Sequence, residues 1–155
     1  MSAPALALFH RLGGSAPGRW LYSRLVCWKA PYFASIAPTV THLAPGTCTV
    51  RFADRRRVRN HLGTVHAIAL CNAAELAGGL ATDATIPATM RWIPKGMTVR
   101  YLKKARGLLT ATASVPAIGD TTLAQELAAH VAVVDAGGET VFDAVIAMWV
   151  SARKV

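Results

Sequence analysis

The pattern of hydrophobic and polar positions divides the chain into a helical first part, one long apolar helix and a strand-rich remainder. In residues 19–29 the apolar side chains recur about one helical turn apart with arginines between them, which predicts an amphipathic helix that ends before Pro31. From Thr39 apolar and polar residues alternate instead. A Pro45-Gly46 turn separates two such alternating runs, and this arrangement predicts a β-hairpin.

The stretch from His66 to Ala81 is predicted to be a helix that is apolar on nearly every side, as is typical of a helix enclosed by other elements. After Pro87 the chain returns to alternating and β-branched segments, which are residues 97–102, 108–115, 122–135 and 139–150. Ala136-Gly137-Gly138 joins the last two as a hairpin turn. Short connections between consecutive strands predict an antiparallel sheet.

One long helix with five or six antiparallel strands predicts an α+β domain in which the sheet curls around the helix, as in the hotdog fold. The extra helix over residues 19–29 precedes it. A ferredoxin-like α+β sandwich is the alternative, but it requires a second full helix between the later strands. Residues 123–131 do not supply one, because they continue without a break into a strand.

Length and composition indicate a single domain. With 155 residues, 53% of them hydrophobic, the chain has enough apolar material for one core over residues 19–155. Residues 1–18 are small and rich in Gly and Pro, which predicts a flexible N-terminal segment. The apolar run within it is short and has no basic residue ahead of it, so it does not resemble an export signal.

The formal charge of +9 indicates an anionic partner, such as nucleic acid, lipid headgroups or a phosphorylated small molecule. Nucleic acid is disfavoured because the arginine cluster at residues 55–59 has few aromatic residues between its charges. Asn72 and Glu75 interrupt the longest apolar stretch, which argues against a membrane-spanning helix and a membrane partner. The three cysteines are widely spaced, which argues against a disulfide framework or a metal site and favours the reducing cytoplasm.

Glu75 is the one charged residue between Ala67 and Ala81. An ionised carboxylate among apolar side chains is costly unless it is paired, because low-dielectric surroundings disfavour the charged form. Its presence indicates either a catalytic acid or base, or a structural carboxylate that is neutralised by an arginine or by backbone amides.

The spacing of Asn60, Gly63, His66 and Glu75 resembles the motif of hotdog acyl-CoA thioesterases of the phenylacetyl-CoA thioesterase type, and more closely a largely uncharacterised bacterial branch of that superfamily. The likeness covers residues 40–150 and includes the run from Tyr101 to Ala105. Ala67 departs from the pattern, because a second glycine is common at its position.

The resemblance implies an acyl-CoA thioesterase that assembles as a homodimer or a dimer of dimers and needs no cofactor beyond its coenzyme A thioester substrate. Glu75 is then the general base or the nucleophile. The Ala67 amide, with His66, stabilises the oxyanion, and Asn60 orients the water or the thioester. Physical reasoning supports the amide assignment, because the leading N–H groups of a helix lack intrahelical partners and lie at the positive end of its dipole.

Helix geometry predicts that one chain cannot form this site alone. At a rise of about 1.5 Å per residue, His66 and Glu75 are roughly 13 Å apart along the axis, which is too far for one carbonyl to meet both. Two antiparallel copies of the helix across a twofold axis bring the N-terminus of one copy opposite the middle of the other.

Simpler interpretations remain open for the other motif residues. Asn60 is also suited to capping a turn, His66 to starting the helix, and Gly63 to an unusual backbone conformation. Four basic residues are candidates for contacting the phosphates of coenzyme A, although each also fits a solvated loop: Arg59, Lys103, Lys104 and Arg106. The non-catalytic alternative is a hotdog module that binds acyl-CoA without cleaving it. The identity of the acyl group is left open.

Overall fold

The computed structural model describes residues 4–119 and 123–153. Its α-helices are α1 (Pro4–Leu12), α2 (Ala16–Lys29) and α3 (Ala67–Thr85), and 3₁₀ segments cover Pro31–Ile36 and Arg56–Val58. The strands are β1 (Thr39–Ala44), β2 (Thr47–Ala53), β3 (Met90–Tyr101), β4 (Leu108–Ser114), β5 (Gln125–Val134) and β6 (Thr140–Ala152).

The strands form one six-stranded antiparallel sheet in the order β1-β2-β4-β5-β6-β3. Helix α3 packs against every strand of this sheet, and twelve of its nineteen residues are buried. The alternating strands turn one apolar face toward α3, as the side-chain period of two requires. The predicted hotdog architecture is therefore confirmed, together with the helix that precedes it.

Two glycines let α3 lie close to its own sheet. A Cβ atom on Gly79 would lie 2.6 Å from Cη2 of Trp92 on β3, and one on Gly78 would lie 3.1 Å from Cδ1 of Ile146 on β6. The first distance is too short for any side chain, so the Trp92 ring fills the notch that Gly79 leaves. Glycine is a poor helix former, so these two residues destabilise α3 locally. The close contacts with the sheet explain why they are there.

Strand β3 is longer than the sequence predicts. It begins at Met90 instead of Met97, because Pro94 and Gly96, which normally end strands, lie at a β-bulge. β3 is an edge strand, where a proline does not remove an internal ladder bond.

The predicted flexible segment also differs from the structure. Its residues 4–12 form α1, in which Leu6 and Phe9 are buried, and the Phe9 ring packs edge-on against Tyr22 of α2 with centroids 5.0 Å apart. Residues 1–3 of that segment lie outside the described residues. Across residues 4–119 and 123–153, none of the helices combines the length and hydropathy needed to cross a membrane.

Candidate functional site

The loop before α3 is built around Asn60. Its Oδ1 accepts hydrogen bonds from the N–H of Leu62 at 3.0 Å and of Thr64 at 3.2 Å, and its own N–H donates to the Thr64 carbonyl at 2.9 Å. Gly63 adopts φ +70°, a conformation that side chains disfavour. In this chain, Asn60 and Gly63 shape the turn that leads into the helix.

His66 starts α3. Its Nδ1 accepts a hydrogen bond from the Ile68 N–H at 3.1 Å, and its carbonyl accepts one from the Ala69 N–H at 2.9 Å. Ala67 is the first residue of the helix, so its N–H has no intrahelical acceptor. His66 therefore accepts hydrogen bonds from the amides of Ile68 and Ala69 but not from that of Ala67. The Ala67 amide lies at the positive end of the helix dipole.

A cleft of about 330 Å³ opens at this helix N-terminus. Its lining brings together four residues that the sequence predicts for the site, namely Asn60, Ala67, Lys103 and Lys104. Tyr101 and the chain that follows β3 form the facing wall. Glu75 and His66 do not line this cleft. His66 lies instead in a separate depression with Arg57 and Arg59.

The four predicted basic residues differ in how they are engaged. Lys103 pairs with Glu139, and Arg106 donates to the Gly63 carbonyl at 3.1 Å. Arg59 Nε donates to Asp54 Oδ1 at 2.7 Å. Lys104 is exposed, and it has no hydrogen bond or ion pair to any residue that the structure describes. It is the cation of this group that is most available to an anionic ligand.

Asp54 holds two parts of the loop region together. Besides Arg59, its Oδ2 accepts a hydrogen bond from the Gly107 N–H at 3.4 Å, and its side chain is only 5% exposed. The hydrogen bond from Arg59 and the bond from the Gly107 backbone lower the pKa of Asp54 below its usual value of 3.8.

Asp54→Asn is expected to lower the free energy of unfolding by about 1 kcal/mol at neutral pH, because it removes the charged partner of Arg59. The effect stays small because Arg59 is half-exposed, so water replaces part of the lost interaction. A lowered pKa means that the carboxylate stabilises the fold above pH 3.8 and loses this effect as the pH falls through its folded-state pKa. Urea unfolding of both proteins at several pH values measures the difference. A gap that stays constant well below pH 3.8 would contradict the assignment.

Glu75 lies on a part-exposed stripe of α3 with Ile68 and Cys71, at the spacing of successive helical turns. It is half-buried, and no residue in the described part of the chain forms a hydrogen bond or an ion pair with it. The prediction that other elements enclose this helix therefore holds for most of α3 but not for the stripe that carries Glu75. The structural alternative requires an arginine or backbone amides of the same chain to neutralise Glu75, and the described residues supply no such partner.

A second cleft, of about 310 Å³, opens beside Glu75. Its lining is mainly apolar and comes from α1, α2, the following 3₁₀ segment, α3 and β3: Ala5, Val26, Ala30, Phe33, Leu76, Gly79, Leu80 and Trp92. Lys29 and Asp83 add charged groups. Sequence reasoning does not identify this cleft, because its walls come from four separate regions of the chain.

Tyr101 and Cys71 form a contact that the sequence also does not reveal. The Tyr101 hydroxyl and the Cys71 Sγ are 3.3 Å apart, and this hydrogen bond, together with partial burial, raises the pKa of Tyr101 to about 12. Tyr101 therefore stays protonated at neutral pH. The pair connects the wall of the N-terminal cleft to the helical turn before Glu75.

The family described as "Domain of unknown function (DUF4442)" matches residues 18–150 of the chain. The chain belongs to this family. Among solved structures, the DUF4442 chain is similar to a structural-genomics protein named APC5556, with 44% identity, a TM-score of 0.82, and coverage of 96% of this chain and 98% of the other. No curated protein sequence matches it.

More distant structures share the fold of the DUF4442 chain. Thioesterase HI1161 from Haemophilus influenzae has 12% identity and a TM-score of 0.73, covering 83% of this chain and 87% of its own. PA5026 from Pseudomonas aeruginosa, a probable thioesterase, has 22% identity and a TM-score of 0.71, covering 86% of this chain and 95% of its own.

In the described residues of the DUF4442 chain, no group of three or more His, Cys, Asp or Glu side chains is placed to hold a metal ion.

Proposed function

We propose that this protein is an acyl-CoA thioesterase whose active site uses Glu75 of one subunit and the Ala67 amide of another. The observation that carries the proposal is the state of Glu75, a half-buried carboxylate with no partner among the described residues, at an apolar cleft. An acid held in this way is free to take a proton or to attack a carbonyl carbon.

The Ala67 N–H is the proposed oxyanion donor. It has no intrahelical acceptor, and the positive end of the α3 dipole favours negative charge beside it. The His66 cap and the Asn60 turn act as positioning groups, since their hydrogen bonds fix the loop that leads to Ala67. The exposed Lys104 in the same cleft is the preferred contact for a phosphate of coenzyme A.

In the general-base route, Glu75 accepts a proton from water as the water oxygen bonds to the thioester carbon. The Ala67 N–H stabilises the resulting oxyanion. Collapse of the intermediate breaks the C–S bond, and the coenzyme A thiolate leaves and takes up a proton, so the products are a carboxylic acid and a thiol. In the nucleophilic route, Glu75 bonds to the acyl carbon and the C–S bond breaks, so the coenzyme A thiolate leaves and an anhydride forms. Water then cleaves the anhydride, which releases the carboxylic acid, restores the Glu75 carboxylate and supplies the proton that the thiolate takes up.

The separation of the two clefts supports the proposed division of the site between two subunits. Glu75 and Ala67 line separate clefts of this chain, and helix geometry separates them by roughly a dozen ångströms along one axis. A twofold dimer that pairs the part-exposed stripes of two α3 helices, with β3 at the exposed sheet edge, joins the two groups in each of two equivalent sites.

The apolar cleft beside Glu75 is the proposed site for the acyl group. Its volume of about 310 Å³ lies at the lower end of the usual range for ligand pockets, which favours a small or medium acyl group. Coenzyme A then extends toward the partner's helix N-terminus.

Val26→Trp is expected to lower kcat/KM by about tenfold for medium-length acyl groups and to leave acetyl-CoA nearly unaffected. Val26 lines the cleft from α2, and the larger ring takes up space that the acyl chain requires. Leu25→Trp, at the neighbouring position that faces solvent, is the matched control. An equal loss for both variants, or a loss for acetyl-CoA as well, contradicts this position for the acyl group.

The test of the function is thiol release from a panel of aryl, straight-chain and branched acyl-CoA esters. Turnover with at least one of them is the expected result. The contrary result is that the protein binds acyl-CoA but releases thiol from none of the esters, and that Glu75→Gln binds with the same affinity. That result would show that the protein is a binding module and not an enzyme.

A further inference from the structure

Helix α2 exposes an apolar face that is unusual for a protein surface. Four large side chains on this face are exposed: Trp20 by 59%, Leu21 by 43%, Leu25 by 40% and Trp28 by 83%. Positions 20, 21, 25 and 28 fall on one side of a helix, so these four side chains form a single patch, with Arg24 among them. We refer to Trp20, Leu21, Leu25 and Trp28 as the α2 patch. Contiguous exposed apolar patches mark interaction surfaces.

The opposite face of α2 holds the helix in place. Tyr22, Ser23 and Cys27 are buried, and Ser23 Oγ accepts a hydrogen bond from the Val40 N–H at 2.8 Å. On the exposed side of α2, Arg24 also donates to the Pro38 carbonyl at 2.7 Å, next to the start of β1. Because these bonds fix α2 to the β1 edge of the sheet, the α2 patch cannot rotate inward and remains available to a partner.

Charge restricts the identity of that partner. Residues 1–53 contain no Asp or Glu, and they include five basic residues: Arg11, Arg19, Arg24, Lys29 and Arg51. None of the five has an ion pair within the residues that the structure describes. A second copy of the same face would oppose like charges, whereas an anionic surface complements them.

The two tryptophans of the α2 patch favour a lipid surface, and not an acidic protein, as its partner. Its ring is enriched at the boundary between headgroups and acyl chains, and a helix with an apolar face and basic flanks lies flat in that boundary. We infer that the α2 patch, with Arg24 within it and Lys29 one helical turn after Leu25, forms a contact with anionic membrane surfaces. A peripheral contact needs no spanning helix, but it departs from the sequence-based prediction of no membrane partner. It does not depend on the proposed thioesterase activity.

The test compares co-sedimentation of the full chain with vesicles of equal parts phosphatidylglycerol and phosphatidylcholine and with vesicles of phosphatidylcholine alone. The expected result is binding to the anionic vesicles that weakens as salt is added. The double variant Trp20→Ser, Trp28→Ser is expected to bind at least about tenfold more weakly. Leu108→Ser, which removes an exposed apolar side chain from β4, is the matched control and should bind as the wild type does.

Three outcomes overturn the inference. One is the absence of binding to anionic vesicles at low salt, and another is equal binding by the double variant, which would indicate nonspecific attraction to a basic protein. The third is a smaller assembly mass for the double variant in light scattering, which would make the α2 patch a contact between copies. Circular dichroism checks that each variant is folded, and Leu25→Gln provides a second, milder change in the same patch.

Discussion

Glu75→Gln is expected to lower kcat for thioester hydrolysis by about 100- to 10,000-fold, the range for loss of a general base. The amide keeps the shape of the side chain but can neither accept the proton of water nor attack the thioester. Because Glu75 has no hydrogen bond or ion pair with the described residues, the fold should be unaffected. Thiol release gives the rate, and thermal unfolding checks the stability.

Asp83→Asn is the matched control for this variant. Asp83 lines the same cleft as Glu75, two helical turns further along α3, and is also part-exposed. The control removes a negative charge from the same surroundings, so it reports any general electrostatic effect on substrate binding. Comparable losses of kcat in the two variants would contradict a specific catalytic function for Glu75.

Ala67→Pro is expected to lower kcat by about 100- to 1000-fold, as removal of one oxyanion donor does. Proline deletes the N–H of Ala67 and is well tolerated at the first position of a helix. His66 precedes it with φ −66° and ψ 140°, which suits a residue before proline. The substitution therefore removes the donor with little cost to α3. Ala67→Ser, which keeps the N–H, is the control for a side-chain change.

Mixing the two inactive proteins tests the shared site directly. A dimer of one Glu75→Gln chain and one Ala67→Pro chain contains one site with both groups intact and one site with neither. Random reassembly from equal amounts should therefore recover about a quarter of the wild-type activity. If each chain carried a complete site of its own, every site would lack one group and no activity would return.

Much of the fold is predictable because its signals are local. The apolar residues of α3 and the alternating runs of the strands follow the periods of helix and sheet, and Gly46 and Gly138 mark tight turns with φ of +83° and +82°. α1 is not predicted, because the short apolar run that forms it is stabilised by Tyr22, a partner outside its own segment. The start of β3 is not predicted because the cost of Pro94 depends on whether its strand lies at an edge.

The candidate site is predictable only in part. The isolation of Glu75 in the sequence singles it out, and the order of residues before Ala67 indicates a helix start. The partners of the basic residues are not predictable, since Arg59 meets Asp54 in the preceding loop and Lys103 meets Glu139 from the β5–β6 connection. The cleft beside Glu75 is not predictable either, because α2 and β3 meet there only after folding.

The packing of Trp92 on Gly79 makes two positions interdependent. The indole occupies the volume that a side chain at position 79 would need, and the same ring is a wall of the apolar cleft on an edge strand. A relative with a larger residue at position 79 therefore requires a smaller one at position 92, and that exchange opens the cleft toward the sheet edge. Under the proposed function, correlated substitution of this pair would change the acyl-chain preference without any change in the reacting groups.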